Sequence, residues 1–196
     1  SDASRIAMQH ASVSVGSILS GVGVSWLLEE RHGVPLVTHS GNISNLQISL
    51  LALAPAQDFA CVVLSNSRGG NALTYRMLDW AIEHHLGKGA PAPLPPLDDL
   101  DPSALDEYVG TYDSGQWSLQ VTREGERLFS GMRVREGPEE HRELLEGPPV
   151  EVALVAPDVD AVASSMLETA GDFGRDEDGK IAWLRWGLRI SIKVAG

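Results

Sequence analysis

The first 90 residues alternate short apolar runs with turn-forming residues. Strand-like runs cover residues 21–30, 34–40, 45–54 and 59–64, and short turns such as residues 55–58 (PAQD) separate them. The run 59–64 (FACVVL) is almost wholly apolar, which predicts a central strand covered on both faces. Together the four runs predict an antiparallel meander.

A helical pattern follows the last of these runs. Between residues 72 and 86, apolar side chains recur every three or four positions, at Leu73, Met77, Leu78, Ala81, Ile82 and Leu86. Asn71 is a candidate N-cap and Gly87 a candidate terminator. The apolar stripe of this helix is expected to pack on the sheet.

The segment after the helix divides the chain. Residues 88–103 carry five of the 11 prolines, so they cannot form a helix or an inner strand. We therefore predict one domain over residues 1–88, a Pro-rich linker over 89–103 and a second domain over 104–196.

The second domain shows a different pattern from the first. Its apolar runs are short and alternating, at residues 108–112, 117–122, 127–130, 142–145, 151–155, 164–167, 180–186 and 188–194. Turn signals separate them, and so many short strands in one domain are typical of a small β-barrel or sandwich. The predicted fold class is α+β: an antiparallel sheet with a C-terminal helix, followed by a small all-β barrel.

The charge distribution supports two units and excludes some partners. The chain has 27 acidic and 15 basic residues, a formal charge of −12. Residues 1–88 are nearly neutral, whereas residues 104–196 carry 18 acidic and ten basic side chains. This acidity argues against nucleic acid or an anionic membrane surface as the main partner. The single cysteine, Cys61, lies in an apolar run and is interpreted as a structural thiol.

The candidate chemistry lies at the end of the second strand-like run, where His39, Ser40 and Gly41 follow one another. Alternation in a strand places His39 and Gly41 on one side and Ser40 on the other. Gly41 leaves room for close approach to the backbone. A packed or solvated histidine is the alternative interpretation.

Other motifs that would indicate a cofactor or metal are missing from the sequence. There is no phosphate-binding glycine loop, no C-x-x-C, no G-x-S-x-G and no S-x-x-K. Residues 176–179 (DEDG) lack the ligand spacing of a calcium loop and are interpreted as a tight turn. No cofactor and no metal site is predicted.

The order of these elements resembles the C-terminal part of the serine β-lactamase-like hydrolases, above all the class C group with its D-alanyl-D-alanine carboxypeptidase and esterase relatives. The matching segments of the first domain are residues 23–26, His39-Ser40-Gly41, Pro55, residues 59–66 and the helix at 78–86. Residues 104–196 resemble the lipocalin-like barrel that often follows such hydrolases, on residues 108–112 (YVGTY) and 175–181 (RDEDGKI).

The resemblance implies roles for the predicted strand end. His39 would tune the electrostatics near a nucleophile, and Ser40 and Gly41 would bind the substrate. The backbone N–H of Asn42 would be an oxyanion donor. The family's nucleophilic serine and its lysine lie upstream and are missing, so this chain alone is expected to be inactive. The full-length protein would cleave a small-molecule amide or ester through a serine acyl-enzyme.

A different class of function stays open beside this one. The chain could be a non-catalytic binding or oligomerisation module that uses the same strand or the acidic barrel. Since the sequence does not begin with Met, it is expected to be part of a longer protein. A partial sheet of this kind exposes apolar surface, which predicts self-association.

Overall fold

The computed structural model describes residues 1–13, 15, 19–43, 46–67, 69–90, 95–97, 100–135, 142, 146–162, 170–186 and 189–194. The chain divides into two compact units, Ser1–Pro93 and Leu94–Gly196. The division falls inside the segment whose proline content predicts a linker. Each unit has its own antiparallel sheet, so the fold class is α+β.

The first unit is a five-stranded sheet with a helix at each end of its sequence. The elements are α1 (Asp2–Met8), β1 (Gly21–Val22), β2 (Leu27–Arg31), β3 (Val34–Ile43), β4 (Gln47–Ala54), β5 (Phe59–Ser65) and α2 (Gly70–Leu86). The strands lie side by side in sequence order, as a meander. The predicted run 21–30 is interrupted, because Ser25 adopts a left-handed conformation with φ of 64° and separates β1 from β2.

One face of this sheet packs against α2. Alternate residues of β4, namely Ile48, Leu50, Ala52 and Ala54, are buried, and so are Leu78 and Ile82 of the helix. The helix ends as the sequence predicts, since Gly87 is its left-handed C-cap with φ of 66°. The predicted N-cap is wrong: Gly69 precedes the helix, and no side chain among the described residues caps it.

The prediction for residues 59–64 is also wrong in one respect. These residues form β5, but in the described part of the chain β5 is the edge strand of the sheet rather than a central one. Helix α2 covers one face of it, and the other face exposes Val62 (64%) and Leu64 (76%). An apolar run indicates that a strand is hydrophobic on both faces. It does not indicate whether the strand has neighbouring strands on both sides in the sheet.

The second unit is a closed eight-stranded barrel. Its strands are β6 (Gly110–Asp113), β7 (Trp117–Glu124), β8 (Arg127–Val134), β9 (Val150–Ala156), β10 (Val159–Val162), β11 (Ala170–Arg175), β12 (Ile181–Trp186) and β13 (Arg189–Val194). β13 pairs with β6 and closes the ring. The sequence missed β10 and β11. Of the segments it predicted instead, Arg142 is helical, and the rest of 142–145 and all of 164–167 lie outside the described residues.

The barrel is filled by its own side chains. Its buried cluster includes Leu105, Tyr108, Tyr112, Leu119, Val121, Leu128, Val152, Leu154, Phe173, Ile181 and Leu184. Leu105 and Tyr108 come from a 3₁₀ helix, Pro102–Tyr108, that precedes the first barrel strand. The guanidinium of Arg175 donates hydrogen bonds to the carboxylates of Glu107, in this helix, and Asp158, at 2.7 Å in each case. These bonds hold the helix against the barrel.

Candidate binding site

The strand end that the sequence singles out lies on the face of the sheet opposite α2. In the sheet register, His39 stands beside Leu51, and Leu51 stands beside Val62. One pleat further on, Gly41, Ser49 and Leu64 form a second row. Helix α2 buries Leu50, Ala52 and Ala54 of β4, and Ser49 and Leu51 alternate with these residues. The two rows therefore lie on the face of the sheet that points away from the helix.

Except for Gly41, the residues of these rows line a groove with a volume of about 430 Å³. Its lining is largely apolar and consists of Met8, Ser25, Trp26, His39, Ser49, Leu50, Leu51, Val62 and Leu64. His39 meets Trp26 edge to face, with ring centroids 6.5 Å apart. The groove therefore combines one titratable ring and two hydroxyls with an aliphatic and aromatic wall.

A tight contact between α1 and the β1–β2 connection places Trp26 in the groove. The N–H of Val24 donates to the carbonyl of Met8, and the N–H of Gly23 donates to the carbonyl of Trp26. A Cβ at position 23 would overlap the Met8 carbonyl oxygen, so only glycine fits there. The sequence pattern does not predict Trp26 and Met8 at the site, because their approach to His39 depends on this contact between segments that are distant in sequence.

The structure separates the predicted site residues. His39 lines the groove, whereas Ser40 stands beside Leu50, on the face that packs against α2. Gly41 lies against Ser49, whose Oγ would be 2.6 Å from an added Cβ. Asn42 stands opposite Ile48 in the β3–β4 ladder. Of these residues, His39 alone is among those that line the described groove, and the roles of the others stay predictions.

Strand β3 also extends past its neighbour on one side. The β2–β3 ladder ends where Leu27 pairs with Thr38, whereas the β3–β4 ladder continues to Ile43. In the described residues, the last five positions of β3 thus have a strand partner on one side. The groove-facing His39 is the first of these five positions.

A second polar cluster lies outside the groove, where the β2–β3 turn meets α2. Asp79 accepts hydrogen bonds from Arg31 Nη2 at 2.7 Å and from Nε of the same guanidinium, and it contacts His32 Nε2 at 2.5 Å. Burial raises the pKa of Asp79, but the hydrogen bonds from Arg31 and His32 outweigh it and place the pKa below its ordinary value. This cluster joins the hairpin to the helix.

The remaining candidate chemistry gives no further site in the described part of the chain. Burial raises the pKa of the Cys61 thiol, which disfavours the reactive thiolate. Residues 176–179 form the predicted turn, in which Asp176 accepts from the N–H groups of Asp178 and Lys180. Among the described residues, no three metal-ligating side chains converge, and no helix has the length and apolarity to span a membrane.

Comparison with known proteins identifies the fold through solved structures. No protein-family model and no curated protein matches the chain. The crystal structure of SurE with D-Leu matches with a TM-score of 0.61 and 20% identity, covering 99% of this chain and 44% of that one. A crystal structure of SurE matches with a TM-score of 0.62 and 21% identity, covering 99% of this chain and 42% of that one.

These findings correct the family predicted from the sequence. Both structures are of SurE, and neither is described as a serine β-lactamase-like hydrolase, a penicillin-binding protein or a lipocalin-like domain. The prediction of a serine hydrolase that cleaves amides or esters rested on that resemblance and is withdrawn with it. The barrel is present as an architecture, but its assignment to that family is withdrawn as well.

The likeness to SurE is one of fold. The chain spans less than half the length of the SurE chains that it matches, and the identities are 20% and 21%. Nearly all of this chain is covered in both comparisons, so the match includes the first-unit sheet that carries the groove as well as the barrel. The chain therefore has a SurE-like fold.

Proposed function

We propose that the first unit contributes a binding site for a small aliphatic D-amino acid, or for a compound that carries one, in the groove beside His39. The observation that carries the proposal is the composition of the groove wall. Leu51, Val62 and Leu64 offer an aliphatic surface, and Trp26 offers an aromatic one. Such a surface suits a leucine-sized side chain, because burial of apolar area is the main source of affinity for such a group.

The polar groups of the groove suit the other end of the same ligand. His39 can donate a hydrogen bond to a carboxylate, and the hydroxyls of Ser25 and Ser49 can accept from an ammonium or amide N–H. These groups flank the apolar wall, since Ser49 is the neighbour of Gly41 and lies two residues from Leu51. One of the two SurE structures is a complex with D-Leu, which has this combination of groups.

The test is a direct titration of the 196-residue chain with D-leucine, in which isothermal titration calorimetry measures the heat of binding. For a ligand of this size we expect a dissociation constant of about 1 mM or below. L-Leucine should bind more weakly, and D-aspartate should bind more weakly still, because its second carboxylate would lie against the aliphatic wall. The substitutions Trp26→Ala and His39→Ala should each weaken D-leucine binding by about tenfold.

Trp80→Ala and His84→Ala are matched controls, since both residues lie on α2, outside the groove. They should leave the dissociation constant unchanged. Absence of any heat at millimolar D-leucine rejects the proposal, and so does an equal loss of binding in the two pairs of variants. Equal affinity for D- and L-leucine rejects the stereochemical part.

A further inference from the structure

His39 is the one acidic or basic side chain among the residues that line the described groove. The other lining residues, Met8, Ser25, Trp26, Ser49, Leu50, Leu51, Val62 and Leu64, are all uncharged. His39 is exposed and meets Trp26 edge to face. The charge of the groove wall therefore depends on a single proton, which an imidazole gains as the pH falls through the physiological range.

The ring nitrogens of His39 are available to a ligand. Among the described residues, none forms a hydrogen bond or an ion pair with this ring. Two other histidines of the first unit differ in this respect. Asp79 already contacts Nε2 of His32, and Nδ1 of His10 lies 2.7 Å from the carbonyl oxygen of Ile6. Since a protonated imidazole donates from both nitrogens, His39 can pair with a carboxylate in the groove.

The strands around His39 bring no other charge next to it. Strands β3, β4 and β5 contain no acidic or basic residue besides His39. On β2, Glu29 and Arg31 share the face that packs on α2, whereas Glu30 lies on the groove face. The register places Glu30 four positions from His39 along β3, a distance of about 13 Å. That distance exceeds the screening length of roughly 8 Å at physiological ionic strength.

Helix α1 contributes Met8 to the groove, and its charged groups are not among the lining residues. Asp2 and Arg5 pair with each other at 3.6 Å. The amino group of Ser1 stands at the start of the helix, about 10 Å from Met8 along the helix axis. His39 is therefore the group whose protonation changes the charge that a ligand meets in the groove.

We propose that His39 makes the groove specific for a ligand with a carboxylate, and that its proton makes the affinity for that ligand rise as the pH falls. This inference rests on the D-amino acid site proposed above. A neutral His39 ring offers the carboxylate one N–H, whereas a protonated ring offers it a full positive charge as well. No acidic side chain in the described groove wall neutralises that charge. The carboxylate of an amino acid stays ionised throughout this pH range, so the change belongs to the protein.

Calorimetric titration of the chain with D-leucine at two pH values tests the inference. We expect a dissociation constant about fivefold lower at about pH 5 than at about pH 7.5. D-Leucinol, in which a hydroxymethyl group replaces the carboxylate, should bind no more tightly at the lower pH. The Asp79 contacts that join the β2–β3 hairpin to α2 keep their charge at both pH values, because the pKa of Asp79 lies below its ordinary value of 3.8.

Substitutions at His39 separate the charge of the side chain from its capacity to donate a hydrogen bond. His39→Gln keeps an N–H donor but cannot become charged, so the dissociation constant for D-leucine should no longer depend on pH. His39→Lys is charged at both pH values and should bind D-leucine equally well at both, and more tightly than His39→Gln does. His10→Gln and His84→Gln are matched controls, since both histidines are exposed and neither lines the groove. These two variants should keep the pH dependence of the wild type.

The outcomes distinguish this inference from the proposed function. Absence of D-leucine binding at both pH values rejects the proposed function, and the inference falls with it. Binding with the same dissociation constant at both pH values leaves the proposed function standing and overturns the inference alone. A pH dependence that persists in His39→Gln, that D-leucinol shares or that either control variant abolishes also overturns it.

Discussion

The buried ion pair in the barrel gives the sharpest stability prediction. Asp172 and Arg185 stand opposite each other in the β11–β12 ladder, and each side chain is 3% exposed. Their contact is bidentate, with Nε–Oδ1 at 2.8 Å and Nη2–Oδ2 at 2.6 Å. The perturbation is Asp172→Asn, which keeps the shape of the side chain and removes its charge.

The magnitude follows from what the substitution leaves behind. The guanidinium of Arg185 stays buried and loses the negative charge of Asp172, and removal of one partner of such a pair costs about 3–5 kcal/mol. Arg185→Met leaves the carboxylate in the same position and should cost a similar amount. Replacing both residues with apolar side chains, as in Asp172→Leu with Arg185→Met, should cost clearly less than the two single changes together.

Native-state hydrogen exchange measured by mass spectrometry is the assay, because it reports each unit of the chain separately. A loss of about 3 kcal/mol should speed exchange of the protected β11 and β12 amides by about 150-fold. The amides of β3 and β4 serve as the internal control and should keep their rates. The same measurement on the double variant completes the cycle.

Two results would refute this reasoning. An Asp172→Asn chain whose β11 and β12 amides exchange less than about fivefold faster would show that the pair contributes under about 1 kcal/mol. A double variant whose cost equals the sum of the single costs would show that the two side chains act independently.

Two other predictions concern the first unit and the barrel wall. The Asp79 carboxylate has a folded-state pKa below its ordinary value of 3.8. Its contribution to the free energy of unfolding is therefore complete above pH 3.8 and is lost as the pH falls through the lower folded-state pKa. When the free energy of unfolding is measured against pH, it should therefore fall less steeply on the acid side for Asp79→Asn than for the wild type. An unchanged pH dependence on the acid side would contradict the assignment. Gly174→Ala should destabilise the barrel by about 1–3 kcal/mol, because the new Cβ would overlap the Trp183 ring. Thermal unfolding measures this cost, and an unchanged midpoint would show that the indole moves aside freely.

The strongest sequence signals were local ones. Apolar spacing located α2 and the strands of the first sheet, and Gly87 located the end of the helix, because its left-handed conformation favours glycine. Proline content predicted a linker in the region where the two units divide. Alternation with turn signals predicted an all-β second half, although it missed β10 and β11.

The site was predicted less completely than the fold. His39 was visible as a polar residue at the end of an apolar strand, and it lines the groove. Trp26 and Met8 were not, since their positions depend on the fit of Gly23 against the Met8 carbonyl. Ser40 adjoins His39 in sequence but lies on the other face of the sheet.

By itself, the sequence determined the strand-forming runs of the first sheet, helix α2 and the all-β character of the second half, because hydrophobic period and turn chemistry act over a few residues. The tertiary structure alone decided that β5 lies at the edge, and that residues from α1, the β1–β2 connection and three strands enclose one groove. Edge position and groove lining depend on which segments distant in sequence come together, and a local pattern carries no record of that choice.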